Sequence, residues 1–147
     1  MSWLTGLEIV TAIHNHADKP TREAFFGVYA IDHLPFAIPH YPFLMIVNTQ
    51  SHNLPGAHWF TVYIDKNRRG EIFDSLAFPP SQIINRWLNQ FTRSVTRNSL
   101  SYQHPLSDTC GAFAVYFVFH RLKGPVTFSR SLYDNENNVR AFYYNLK

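Results

Sequence analysis

This chain has one cysteine, eight histidines and ten acidic residues with which to do nucleophilic or acid–base chemistry. Cys110 stands at the head of CGAFAVYFVFHRLK, a segment whose middle is apolar all round and which Gly124 and Pro125 close, as expected of a buried helix. A helix N-terminus carries unpaired amides and partial positive charge, which favours thiolate, the reactive form of cysteine. Position alone also suits a small buried hydrophobe. His58 shifts that balance. It opens a strand predicted over 59–64 (WFTVYI), after a polar loop at 48–57. Asp74 ends a second short strand at 71–74 (EIFD), across a turn at 65–70 (DKNRRG). In such a hairpin the two residues lie at the same end of the ladder. Asp74 can then accept a hydrogen bond from one imidazole nitrogen and leave the other to face a thiol. Gln103, seven residues before Cys110, can donate its amide to an oxyanion, with the Cys110 backbone N–H as second donor. Gly111 leaves room for a substrate backbone beside the cysteine.

Other chemistries find less support. His14 and His16 are two apart on a helix and do not face each other. His33, His40, His52, His104 and His120 have no evident partner, and no CxxC pair exists to hold zinc. Neither a metal nor a cofactor is expected. A lone cysteine cannot form an intramolecular disulfide, which fits a reducing compartment, or a virion that does not depend on disulfides. The N-terminus lacks the basic region, apolar core and small-residue cleavage site of a secretion signal, so the chain is not expected to be secreted. The longest apolar run, 111–119, is too short to span a bilayer, and no membrane partner is expected.

The elements that must position these residues also follow from pattern. With 46% apolar and 16% charged residues, the chain reads as a packed globule rather than a disordered one, and 147 residues suit one domain over 1–147. A first helix is predicted over 5–17, capped by Thr5, with Leu7, Val10 and Ile13 on one face. Phe25 to Tyr29 is a short apolar stretch. The run 43–47 (FLMIV) reads as a strand covered on both faces. Pro79, Pro80 and Ser81 start a helix striped by Ile83, Ile84, Trp87, Leu88 and Phe91. The alternation at 99–103 suggests an edge or half-buried strand. Ser107, Asp108 and Thr109 supply capping groups ahead of Cys110. Asn135 or Asn137 is expected to cap a last short helix ending near Tyr144. The order predicts an α+β fold, a short mixed sheet packed by helices.

The strings GAHW, IFDS and YQHPLSDTCGAF, in that order, resemble the adenovirus-type endopeptidases (adenain-like) and the related ubiquitin-like-protein proteases. FFGVYAIDHLP and FDSLAFPP resemble the proteases of adenovirus-like viruses and Polinton-type mobile elements. The resemblance runs from about Phe25 to Phe142. It implies a papain-like cysteine protease fold with the nucleophile at the N-terminus of a buried helix. It also implies Cys110 as nucleophile, His58 as base, Asp74 as orienting acid, Gln103 as oxyanion donor and Trp59 as a cleft wall. The activity it implies is an endopeptidase trimming viral or mobile-element capsid and core precursors after small residues, usually glycine. Two alternatives are a deconjugating protease for a ubiquitin-like modifier and a catalytically silent binding protein of the same fold. The expected location is the virion and the host nucleus or cytoplasm. The adenovirus enzyme is activated by DNA and by a peptide held through a second cysteine. This chain lacks that cysteine, so a peptide activator would bind noncovalently, by adding a strand to a sheet edge. With a net charge of +3, DNA binding is expected to be weak and centred on the turn at 66–69.

Overall fold

The computed structural model describes residues 4–49 and 58–146, so most of the loop expected at 48–57 lies outside the described residues. Five strands form one mixed sheet in the order β1 (Phe25–Ala30), β2 (Phe43–Asn48), β3 (Trp59–Ile64), β4 (Arg69–Phe73), β5 (Ser94–Arg97). The β1–β2 and β4–β5 pairs are parallel, and the two central pairs are antiparallel. The helices among the described residues are α1 (Gly6–His16), α2 (Lys19–Ala24), α3 (Gln82–Phe91), α4 (Cys110–Arg121) and α5 (Leu132–Asn145). This is the α+β architecture expected from the sequence.

Strand alternation sorts the core onto two faces. On one, Leu44, Ile46, Trp59, Tyr63 and Phe73 pack with α1, α4 and α5. On the other, Met45, Val47, Phe60, Val62, Ile64 and Ile72 pack with Ile84, Trp87 and Leu88 of α3. β2 and β3 are buried along their whole length, which explains their continuous apolar runs. The helix α4 supplies eight buried residues to the first face.

Several local expectations are corrected. The capping box of Thr5 and Glu8 starts α1, but the buried face is Ile9, Ala12 and Ile13, while Leu7 is exposed. Ile83 is likewise exposed on α3. A short helix, α2, capped by Asp18, precedes β1 and had no apolar period to reveal it. The fifth strand is Ser94–Arg97, not 99–103; its side chains are all exposed, so it carries no alternation of burial. No side chain of residues 107–109 caps α4, because the Thr109 hydroxyl is committed elsewhere. The last helix is longer than expected and is capped by Ser131. Asn135 is a buried anchor inside it rather than a cap.

Candidate active site

The β3–β4 hairpin sets the first pair. Thr61 pairs with Phe73 and Val62 with Ile72. Continuing that register puts Asp74 opposite Phe60 and His58 two residues away on the same face. His58 Nε2 and Asp74 Oδ1 lie 2.8 Å apart, and both residues are buried, at 7% and 5% exposure. The same Asp74 oxygen accepts from the Leu76 amide at 2.8 Å. Asn98 grips the Asp74 backbone from both sides: its Oδ1 accepts from the Asp74 N–H and its Nδ2 donates to the Asp74 carbonyl. The aspartate is therefore fixed at backbone and side chain.

Cys110, 3% exposed, is the first residue of α4. It lines the same cleft as His58 and contributes to raising the His58 pKa. With Nε2 committed to Asp74, Nδ1 is the nitrogen left for sulfur. Burial alone would push the His58 pKa down by penalising imidazolium. The hydrogen bonds and negative charge of Asp74 and Cys110 outweigh it and raise the pKa to about 9. At neutral pH His58 thus holds its proton against the thiol.

Gln103 is fully buried and is clamped by Ser75, a residue the sequence reading passed over. The Ser75 hydroxyl donates to Gln103 Oε1, and the Ser75 carbonyl accepts from the amides of Tyr102 and Gln103. These bonds fix the amide orientation. One Nε2 hydrogen goes to the Ser107 carbonyl at 2.9 Å. The helix α5 then secures the irregular segment leading to the cysteine. Asn135 donates to the Tyr102 carbonyl, and buried Glu136 accepts from the His104 amide at 3.1 Å and from the Thr109 hydroxyl at 2.7 Å. Glu136 so ties together both ends of the loop between Gln103 and Cys110. A buried carboxylate near the start of α4 also suits the helix dipole. Neither Ser75 nor Glu136 stands out by spacing; Ser75 is legible only as the neighbour of Asp74.

His58, Asp74, Gln103 and Cys110 all line one cleft of about 720 Å³. Trp59 does not line it. Alternation turns Trp59 to the opposite sheet face from His58, where its indole donates to the Leu4 carbonyl at 3.2 Å. There Gly111 makes room for protein rather than for open space. A Cβ at Gly111 would come within 3.1 Å of Leu4 Cβ and 3.2 Å of Trp59 Cδ1. Among the described residues no cluster of three or more histidine, cysteine or acidic side chains could hold a metal ion, and no helix is long and apolar enough to cross a membrane.

A buried thiol, an imidazole that keeps its proton and a carboxylate on the imidazole's far nitrogen form the constellation that acyl transfer to sulfur requires. No protein-family model matches the chain, and no curated protein does. Solved structures do. The ASFV protease is 18% identical over 82% of this chain and 58% of its own, with a TM-score of 0.59. The Chlamydia abortus effector protein ChlaDUB is 17% identical over 71% of this chain and 56% of its own, with a TM-score of 0.54. The central domain of the Legionella pneumophila protein Lpg1148 is 14% identical over the full length of both chains, with a TM-score of 0.50. The chain thus spans little more than half of the ASFV protease and ChlaDUB chains, and what it shares with all three is the fold.

Proposed function

We propose that this chain is a cysteine endopeptidase of the adenain-like type. In this reading Cys110 is the nucleophile, His58 the acid–base and Asp74 the orienting carboxylate. The Cys110 thiolate attacks the scissile carbonyl carbon. The resulting oxyanion is held by the second Nε2 hydrogen of Gln103 and the Cys110 backbone N–H. The His58 imidazolium gives its proton to the departing amine, and the thioester forms. Neutral His58 then takes a proton from water, which attacks the thioester and releases Cys110. Asp74 stays ionised throughout and holds the imidazole in place. The observation that carries this reading is the 2.8 Å His58–Asp74 pair lining the same cleft as Cys110 at the head of α4.

The proposed substrates are viral or mobile-element precursor proteins, cut after glycine. The virion and the host nucleus or cytoplasm are the proposed places of action. DNA binding is proposed to be weak. Two of the three cations at the hairpin tip are already engaged: Arg69 with Asp65 at 3.0 Å, and Arg68 with the Phe91 carbonyl at 3.2 Å. Any peptide activator would bind noncovalently. The test is cleavage of a glycine-centred quenched peptide library by the purified chain and by Cys110→Ala. Cleavage after glycine by the wild type alone supports the reading. Equal turnover by both proteins removes it, and preference for lysine or arginine before the bond removes the glycine assignment.

A further inference from the structure

The proposed peptidase leaves most of its cleft unexplained. The four residues assigned to chemistry line a cavity of about 720 Å³ whose remaining lining is mostly apolar, with Thr49, Ser81 and Ser107 as its other polar side chains. Phe60, Leu76, Phe78, Pro79, Pro80 and Leu106 supply most of that surface. Phe78 and Leu106 both line it and are 53% and 90% exposed. The Phe78 ring lies 5.1 Å from the His58 ring, so this wall begins where the histidine ends. Local backbone puts it there. Asp74 and Ala77 close a turn through a 2.9 Å backbone bond, and Ala77 takes φ 56°, which swings the chain back over the site. Leu106 rides on the loop that Glu136 ties down.

Reaction geometry decides which part of a substrate this space receives. The carbonyl carbon must sit over Cys110 and the departing nitrogen must face His58 to receive its proton. The chain beyond that nitrogen therefore leaves on the His58 side, beside the Phe78 ring that stands 5.1 Å from the histidine. Among the described residues lining the cavity, the only charged side chains are Asp74 and His58, which face each other. A charged group placed deeper would lose its water and find no partner, whereas an apolar one would bury favourably.

We infer that the cleft beyond His58 is a subsite for the leaving fragment. It takes a large apolar side chain at one of the first two positions after the scissile bond, and Phe78 and Leu106 determine the specificity. This rests on the peptidase reading and assigns it a second determinant, on the other side of the bond from glycine.

The experiment uses quenched peptides with glycine before the bond and Leu, Phe, Ala, Asp or Lys at each of the first two positions after it. The wild type should favour Leu or Phe over Ala by about tenfold or more in kcat/KM, and over Asp by more still. Phe78→Ala and Leu106→Ala change exposed side chains and should fold, as far-UV circular dichroism will verify. In each, the ratio of Leu to Asp should shrink toward one. Equal rates for Leu and Asp in the wild type, or an undiminished ratio in the Phe78→Ala, Leu106→Ala double variant, would overturn the inference while leaving the peptidase intact. Identical behaviour of wild type and Cys110→Ala on every peptide would overturn the peptidase reading and this inference with it.

Discussion

The two halves of the site are held by different means. His58 and Asp74, 16 residues apart along the chain, are set mainly by the register of one hairpin, with Asn98 bracing the Asp74 backbone. Gln103 and Cys110 are joined by a stretch without a helix or strand. Their positions depend on remote groups: Ser75 on the amide, Asn135 on Tyr102, and Glu136 on His104 and Thr109. The hairpin half is local and rigid by pairing. The loop half is a tertiary construction that long-range hydrogen bonds must maintain. Substitutions in the first half should therefore damage chemistry with little indirect effect, whereas the second half can be damaged from a distance.

The largest effect falls on the reacting atoms. Cys110→Ala should abolish peptide cleavage, and His58→Ala should lower kcat by several orders of magnitude, on the ~10⁶ scale of residues that act as a unit. Asp74→Asn should cost less, up to ~10⁴-fold, because it chiefly orients the imidazole. Gln103→Ala should lose about 10²-fold or more in kcat with KM little changed, as for one oxyanion donor. Unimpaired turnover in that variant would remove Gln103 from the site.

The comparison sharpens at Glu136, which touches no reacting atom in this account. Glu136→Ala leaves the His104 amide and the Thr109 hydroxyl without their acceptor. Urea unfolding should show a loss of about 1–3 kcal/mol, the usual consequence of unpaired buried polar groups. It should lower kcat more than KM, through the displaced loop. If Glu136→Ala were as active as wild type, the loop half would be self-supporting and the contrast with the hairpin half would disappear.

That contrast also explains what could be read in advance. The hairpin, the covered strand β2 and the buried helix α4 each announce themselves by residue type within a short window, and His58, Asp74 and Cys110 lie on those elements. Gln103 is visible only through its spacing from Cys110. Glu136 and Ser75 have no such signature, because a buried acceptor is defined by donors that lie far away in sequence. The strand misplaced at 99–103 belongs to this same region: its residues serve side-chain anchoring, with the Ser101 hydroxyl within hydrogen-bond distance of both the Ser75 and Gln103 carbonyls. The Trp59 assignment turns on alternation. Adjacent residues on a strand face opposite ways, so when His58 enters the cleft, Trp59 faces α4.

The smallest expected effect is on stability against pH. A His58 pKa raised from 6.5 to about 9 by folding means that the folded state holds a proton the unfolded chain releases. The stabilisation is fully present below about pH 6.5 and is lost as pH rises through 9. The melting temperature of the wild type should accordingly fall between pH 7 and 10 by more than that of His58→Ala.

The central claim is that Asp74, His58 and Cys110 act as one unit, and the pH dependence of kcat/KM in wild type and Asp74→Asn tests it most directly. His58 must be protonated to release the leaving amine, so the wild-type profile should fall on its alkaline side near pH 9. Removing the Asp74 charge withdraws the strongest influence that raises the His58 pKa, so in Asp74→Asn that limb should move to lower pH, toward 6.5. An alkaline limb that stays in place in Asp74→Asn, or a wild-type rate that simply climbs through the ordinary thiol range near 8.5, would contradict the account.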